Sequence, residues 1–575
     1  MKGFDYHEVK LNEGLLKDTL DETMNFFLRI PNDNILKYMR EDAGLPAPGI
    51  YYTGWFKNSR GMGVLGQWIS AYARMYAITG NKSFREKALY LIDEFWKCYL
   101  ILKGTPKRLL SHRSFYAFEK LLRALIDLHV YCGYETAKEK SIEIIAFAVE
   151  NFSTENLFGD NGTEWYTLPE SLYMAYELFG IEQAREAAGR WEYREWWDLF
   201  YKDLDPYSKR PKAGLYSEFC HAYSHTNSFN SCAMAYKVKK DPYYLRAICK
   251  YYDFIKNEQM MATGGYGPSF EHLMPKNRII DALRCGHDSF ETQCCSYAAF
   301  RLVHYLTCFT GNPHYSNWVE LLLYNAVVAT IPMTEDGKVI YYSDYNMYGA
   351  QKINRQDGWT CCTGTRPLVV TEMQRLIYFN DGEDLYIAQY TPSTLSWNRQ
   401  GGKIVVHQKT GFPLTNETQI ELQLESATEF AVKFRMPEWL AGKMTVAVNG
   451  TETEAMLDEH GWLSVSNVWK NGDTITVTLP QNVWMHSFDP IKEGPNAFLH
   501  GPVVLAATYT GPQTPNDHMN VRKLTQKMRP VEGKPLHYTV DGRDDLYFKP
   551  FYEYKEYERY FIYHDTTAHA TKRFD

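Results

Sequence analysis

The sequence predicts a multidomain α+β protein in which an (α/α)6 helical barrel is followed by antiparallel β-sandwich domains. Three observations predict it. Apolar residues recur at three-and-four spacing from about residue 15 to residue 379, the period of helices with a buried face. Those helical stretches are interrupted by breaks of one kind, about 50 to 70 residues apart. Beyond residue 379 the period changes to two-residue alternation, the pattern of strands with one face in a core.

The breaks define the hairpins in order. Ile78-Thr79-Gly80-Asn81 separates 65–77 from 84–99, and Tyr131-Cys132-Gly133-Tyr134 separates 115–130 from 137–149. The same punctuation returns at Leu178-Phe179-Gly180-Ile181, at Lys239-Lys240-Asp241-Pro242 and at Phe309-Thr310-Gly311-Asn312-Pro313. Glycine takes the left-handed turn that ends a helix and Asp-Pro starts the next one, so each break reads as an αα-hairpin. Five or six hairpins that close on themselves make a barrel; an open α-solenoid is the competing architecture. The long irregular stretches 259–290 and 333–359 favour the barrel, because loops of that length inside a compact domain usually carry function.

In the second part, 384–390, 403–408, 418–424, 429–435, 444–448 and 474–479 read as strands, with Asn449-Gly450 and Asn471-Gly472-Asp473 as hairpin turns. The expected division is a barrel over 1–380, a β-sandwich over 381–490 and a smaller β-domain over 491–575, whose clearest strand is 497–508. The aromatic and charged tail 551–575 receives no assignment.

Composition narrows the partner. With 62 basic against 69 acidic residues the net charge is -7, and no basic field exists to hold nucleic acid. No uncharged apolar run reaches the roughly 18 residues of a membrane span. A small or neutral partner is expected; 44 Tyr and 14 Trp can supply the flat apolar walls of a carbohydrate cleft, and equally the knobs of a large core. An oligomer formed through the β-domains is open. The opening Met1-Lys2-Gly3-Phe4-Asp5 lacks the apolar core of a secretory signal, and 11 cysteines, an odd number, fit reduced thiols, so cytoplasmic residence is expected.

Chemistry points to the cysteines. Cys361-Cys362 lie in Gly358-Trp359-Thr360-Cys361-Cys362-Thr363-Gly364, and a second soft-ligand cluster stands upstream in Glu291-Thr292-Gln293-Cys294-Cys295. Vicinal cysteines can present two sulfurs to one metal ion, and a metal-bound thiol is held as thiolate at neutral pH, which makes it a nucleophile. Isolated cysteines are more often small buried hydrophobes, a reading that suits the scattered ones better than these clusters.

A helical barrel, then a β-sandwich, with a Cys-Cys pair late in the helical part, resembles glycoside hydrolase family 127, the β-L-arabinofuranosidases and their relatives. The matching stretches run in order through Thr263-Gly264-Gly265-Tyr266-Gly267, Glu271, Phe290-Glu291-Thr292, Tyr324-Asn325, Cys361-Cys362, Met436-Pro437-Glu438-Trp439, Val448-Asn449-Gly450, Trp469-Lys470-Asn471-Gly472-Asp473 and Gly501-Pro502-Val503-Val504. The resemblance implies a retaining glycosidase that acts on a small glycoside or oligosaccharide, with Cys361 as nucleophile, Glu271 as acid/base, and Zn2+ held by Glu291, Cys361, Cys362 and a third thiol. The family pattern reads Glu-Thr-Cys, whereas Gln293 stands at the third place here, so Cys294 or Cys295 would supply that sulfur. Among sugar-binding positions it implies His112, His225 in competition with His221, and Tyr342; a second family histidine is Glu119 in this chain. Arg366 is the cation nearest Cys361 in sequence that could favour its thiolate. Other enzymes on such barrels (lyases, uronide hydrolases, epimerases) are the rival class, and a carbohydrate-binding protein without its metal is the third.

Overall fold

Among the described residues, six helices stand side by side and close a ring: α1 (Met62–Thr79), α2 (Ser114–Cys132), α3 (Leu168–Phe179), α4 (Ala222–Lys239), α5 (Gln293–Thr310) and α6 (Cys361–Glu372). Each packs on the next, and α6 packs back on α1, which rules out the open solenoid. The structure is a computed structural model, and it describes residues 1–110, 114–153, 164–207, 220–354, 358–399, 402–489, 494–511 and 521–564. An outer helix covers each inner one: Lys82–Leu102 on α1, Ala137–Asn151 on α2, Glu182–Arg190 on α3, Pro242–Phe254 on α4 and Ser316–Leu322 on α5. The sixth cover is the first helix of the chain, Leu15–Arg29, which lies against α6 and completes the circle.

The sequence explains which helix goes where. From Met62 to Met75 every residue of α1 is buried, and so is every residue of α4 from Ala222 to Ala235. The outer helix Lys82–Leu102 buries one stripe, including Phe84, Ala88, Leu91, Phe95, Tyr99 and Leu102. The expected breaks are the helix ends: Gly80, Gly180 and Gly311 cap α1, α3 and α5 in the left-handed conformation. Asn81 and Asp241 then accept backbone N–H groups to start the following outer helices. Inside the ring, Arg74 donates to Asp127 (2.8 Å) and Glu372 (2.7 Å), and Arg301 pairs with Glu170. These buried pairs tie α1, α2, α3, α5 and α6 together across the barrel axis.

Two mainly antiparallel sheets follow. One runs in the order Lys2–Gly3, Tyr378–Asn380, Leu385–Ile387, Thr428–Arg435, Trp462–Trp469, Met456–Leu457. The other runs Thr451–Thr453, Thr445–Val448, Thr474–Thr478, Glu417–Leu424, Gly402–Thr410, Ser393–Arg399, Val9–Leu11. Alternate residues such as Ile404, Val406, Ile420 and Leu422 meet Val432, Phe434 and Val465 in one core. The first eleven residues therefore contribute an edge strand to each sheet. A third sheet spans Val483–Ser487 to Arg543–Pro550. The expected strand 497–508 is in fact a hairpin, Asn496–His500 and Val503–Tyr509, because Gly501 turns at φ 53° and Pro502 has no N–H for a ladder.

The described part of the tail reaches back to the barrel. Arg559–Tyr560 pairs with Ala350–Gln351, the Tyr560 hydroxyl donates to the Asp344 carbonyl (2.8 Å), and the Tyr563 hydroxyl accepts from the Ala262 N–H (2.7 Å). It thus braces the two long loops between hairpins.

Candidate active site

The amino ends of α5 and α6 meet inside the barrel mouth, and three thiols sit in their first turns. The Cys294, Cys361 and Cys362 sulfurs all lie within 4.8 Å of one another, with Cys294 Sγ 3.7 Å from Cys362 Sγ. Cys294 Sγ also lies 3.0 Å from Thr365 Oγ1, and Cys361 Sγ donates to the Tyr341 hydroxyl at 3.2 Å. Helix amino ends carry partial positive charge, so this is a setting that favours thiolate. Opposing that, burial pushes the Cys294 and Cys362 thiols well above the ordinary range; Cys361 adds to the rise of both, while the contact with Cys294 pulls Cys362 the other way. A bound cation would resolve the conflict by taking the protons' place. The α6 end is built for its position: Pro367 cannot donate to the Thr363 carbonyl one turn back, and the Trp68 indole of α1 donates to it instead at 2.8 Å.

The third thiol is Cys294. Cys295, one residue on, stands outside the group of three, its sulfur 3.6 Å from Thr292 Oγ1. Gln293, at the family's thiol position, is held away from the cluster: its amide donates to the Ala326 carbonyl (3.1 Å) and Thr330 Oγ1 (3.0 Å), and its oxygen accepts from Arg366 (3.3 Å). Arg366, the cation near Cys361 in sequence, donates to Gln293, the Val327 carbonyl and Thr23. Glu291, the expected carboxylate ligand, stands outside the group of three clustered thiols. It precedes the N-cap Thr292, and its carboxyl accepts from Tyr345 (2.6 Å) and Thr263 (3.2 Å) on the two long loops. Burial pushes that carboxyl up to about 8, against the pull of those two hydrogen bonds.

Glu271 closes the opposite side. It is 3% exposed, Oε1 accepts from Thr292 Oγ1 at 2.8 Å, and Oε2 lies 3.3 Å from His221 Nε2. The short pairing of Cys220–His221 with His272–Leu273 brings this histidine to the loop. Burial alone would lower His221, but the charge and hydrogen bond of Glu271 outweigh it and set the imidazole above its ordinary value. His225 does not share this contact. It is fully buried among Tyr166, Tyr193 and Trp196, with Nδ1 on the His221 carbonyl at 2.9 Å, and burial takes it down to about 3. Of the two competing histidines, His221 is the one that contacts Glu271; one turn of α4 separates them. His112 lies outside the described residues.

The thiols and Glu271 look onto the same wall. Tyr341, bonded to Cys361, packs on Tyr342 with ring centroids 4.1 Å apart, and Phe270 meets Tyr342 edge to face at 5.3 Å. Burial first, then the charges of both Cys361 and Glu271, raise the Tyr341 hydroxyl, so it stays protonated and able to donate. Glu271 likewise adds to the rise of Cys362. Four residues of this pocket escaped the sequence reading: Tyr341, Tyr116, Lys120 and Tyr223. Lys120 donates to the Tyr223 hydroxyl at 3.0 Å, pairs with Glu119 and lies 4.6 Å over the Tyr116 ring. Burial, then Cys294 and Cys361, push the Tyr116 hydroxyl upward, which puts α2 against the thiol cluster. In sequence Tyr116, Lys120 and Tyr223 merge with the apolar period of α2 and α4, and Tyr341 lies in the long loop.

The donor set fits zinc. Zinc–thiolate bonds of about 2.3 Å in a tetrahedron put sulfurs roughly 3.8 Å apart, close to the Cys294–Cys362 separation. Three clustered thiols could therefore hold such an ion. If Cys294 is a ligand and Cys295 is not, Cys294→Ala should empty the site while Cys295→Ala keeps about one zinc per chain on metal analysis; the reverse pattern would reassign the ligand. The His221–Glu271 contact gives a pH test. A raised histidine stabilises the fold below its ordinary value, about 6.5, and loses that contribution as pH rises through the raised value. His221→Gln should therefore lower the melting temperature more at about pH 6 than at about pH 9. An equal loss at both would show that the contact carries no charge.

Comparison with known proteins places this geometry. The family model described as "Beta-L-arabinofuranosidase, GH127 catalytic domain" matches residues 8–375, and that of the GH127 middle domain matches 384–481. Among solved structures, a GH127 β-L-arabinofuranosidase from Geobacillus stearothermophilus T6 is 17% identical with a TM-score of 0.73, over 97% of this chain and 99% of its own. A second GH127 β-arabinofuranosidase is 14% identical with a TM-score of 0.73, over 99% of this chain and 98% of its own. At these identities the structural likeness establishes the fold, and no curated protein matches. The molecule is a carbohydrate-cleaving enzyme, a glycoside hydrolase. Within that class the chain belongs to family 127, whose catalytic and middle domains together account for most of its length.

Proposed function

We propose that the protein is a retaining, exo-acting hydrolase of β-L-arabinofuranosides or a related plant-derived sugar, with Cys361 as nucleophile and Glu271 as acid/base. The observation that carries this is a shared wall: Tyr341 is hydrogen-bonded to Cys361 and packs on Tyr342, and the charges of both Cys361 and Glu271 act on the Tyr341 and Tyr342 hydroxyls. A retaining enzyme needs a nucleophile and a proton donor on either side of one anomeric centre, and a thiolate can replace the usual second carboxylate.

The steps follow from the residues. With the proton shared by the His221–Glu271 pair resting on the Glu271 carboxyl, Cys361 Sγ attacks the anomeric carbon while Glu271 passes that proton to the departing glycosidic oxygen, leaving a thioglycosyl group on the sulfur. Glu271, now ionised, takes a proton from water, which attacks the same carbon; the carbon–sulfur bond breaks, and two inversions give retention. As thiolate, Cys361 accepts the hydroxyl proton of Tyr341, which reverses the bond seen with the neutral thiol and stabilises sulfur both as attacker and as leaving group. Cys294, Cys361 and Cys362 would hold a zinc ion, which when bound keeps sulfur anionic and lowers the cost of its departure. His221 orients Glu271, and Thr292 fixes its other oxygen.

Glu119 and Lys120 set this pocket apart from the family pattern, with a buried ion pair where that pattern has a histidine. The substrate panel that tests the reading should therefore span α- and β-furanosides and pyranosides of arabinose and galactose. Release of the sugar from a β-L-arabinofuranoside with the initial product in the β-form supports it, and hydrolysis confined to pyranosides would contradict it.

A further inference from the structure

We propose that Phe270 is a stacking platform for the leaving-group sugar, so that the enzyme selects a glycosyl residue on the far side of the bond it cleaves. This rests on the assignment of Glu271 as acid/base. The first observation is exposure. Among the described phenylalanines Phe270 alone is exposed, at 55%, although the surrounding loop is largely buried and Glu271 beside it is 3% exposed.

The second is backbone conformation. Ser269 (φ 52°, ψ 51°), Phe270 (φ 65°, ψ 57°) and Glu271 (φ 65°) are three successive non-glycine residues in the left-handed region. Side chains with a Cβ resist that region, and a bulky aromatic most of all, so the surroundings must impose it. They do: the Phe270 N–H donates to the Ser289 carbonyl at 2.9 Å, and His272 Nδ1 lies 2.5 Å from the Ser269 carbonyl. Such strain is retained where it aims a side chain, and here it directs Glu271 inward and the Phe270 ring outward from adjacent positions.

The third is order along the wall. From the thiol outward come Cys361, Tyr341, Tyr342 and Phe270, in contacts of 3.2, 4.1 and 5.3 Å. The sugar attacked by Cys361 occupies the inner end. A proton donor must sit at the oxygen joining that sugar to the leaving group, so the ring next to Glu271 and outside it meets the leaving group. Tyr342 contacts Phe270 edge to face, at an interplanar angle of 84°, and covers at most one face of its ring. A free aromatic face matches the apolar C–H face of a sugar ring and gives a methyl group almost nothing to stack on.

The test compares two substrates with similar leaving-group acidity, a β-L-arabinofuranosyl disaccharide and methyl β-L-arabinofuranoside. For Phe270→Ala the ratio of kcat/KM on the disaccharide to that on the methyl glycoside should fall about tenfold, chiefly through KM, and Phe270→Trp should restore it. Phe270→Leu, which keeps apolar bulk without a ring, should behave as the alanine variant does and serves if that variant does not accumulate. An unchanged ratio, whether both substrates suffer equally or neither does, would overturn the platform while leaving the hydrolase reading intact. If the wild-type protein hydrolyses neither furanoside, the hydrolase reading fails first and takes the platform with it.

Discussion

Cys361→Ser should lower hydrolysis of every glycoside by roughly ten-thousand-fold or more, because it removes the group that forms the covalent bond. Serine keeps the size and the hydrogen bond to Tyr341, so folding should survive; its hydroxyl, however, is not a nucleophile at neutral pH without a base to deprotonate it. The comparison that isolates the role is Cys294→Ser. That change also removes a sulfur from the trio, but not the one bonded to Tyr341, so loss of metal and loss of nucleophile can be told apart. Cys294→Ser with added zinc should recover measurable turnover, whereas Cys361→Ser should not recover under any metal supply. Initial-rate assays with an aryl furanoside decide it; substantial activity in Cys361→Ser would remove the sulfur from the mechanism.

Glu271→Gln should produce the second-largest effect, and one that depends on the leaving group. General acid catalysis is worth about 10² to 10⁴-fold, and it matters in proportion to how badly the departing oxygen needs a proton. A disaccharide or methyl glycoside should therefore lose roughly 10³-fold, while an activated nitrophenyl furanoside loses far less in the first step. With the activated substrate the second step becomes limiting, since no base then assists water, and the glycosyl-enzyme accumulates. A burst of nitrophenol followed by slow turnover is the signature, and an equal loss on all substrates would assign Glu271 a structural role.

Much of this fold was legible because the chain punctuates it. Gly80, Gly180, Asp241-Pro242 and Gly311 end or start helices through local backbone chemistry, and the change of period near residue 379 marks the passage to strands. Closure of the ring was less so, since the helix that covers α6 comes from the start of the chain, a contact of high sequence separation. The hairpin at Gly501-Pro502 was missed because apolar residues on both sides, all buried, show no alternation to interrupt.

The candidate site divides in the same way. Adjacent cysteines and a carboxylate in a glycine-rich loop stand out in any reading. What could not be seen are choices between neighbours: Cys294 over Cys295, His221 over His225, Tyr341 over Tyr342 at the thiol. Each depends on the rotational setting of a helix or loop to within one residue. Arg366 meets Gln293, which lies 73 positions away in sequence, only in the closed barrel.

The most direct test is to trap the intermediate. Glu271→Gln should be mixed with a nitrophenyl β-L-arabinofuranoside, quenched in acid during the burst, and its mass and peptides analysed. One added sugar residue on the peptide that contains Cys361 and Cys362, localised to Cys361 by fragmentation, is the predicted result. Continuing release of nitrophenol with no adduct on that peptide, or an adduct carried by a carboxylate elsewhere, would contradict the thiolate mechanism.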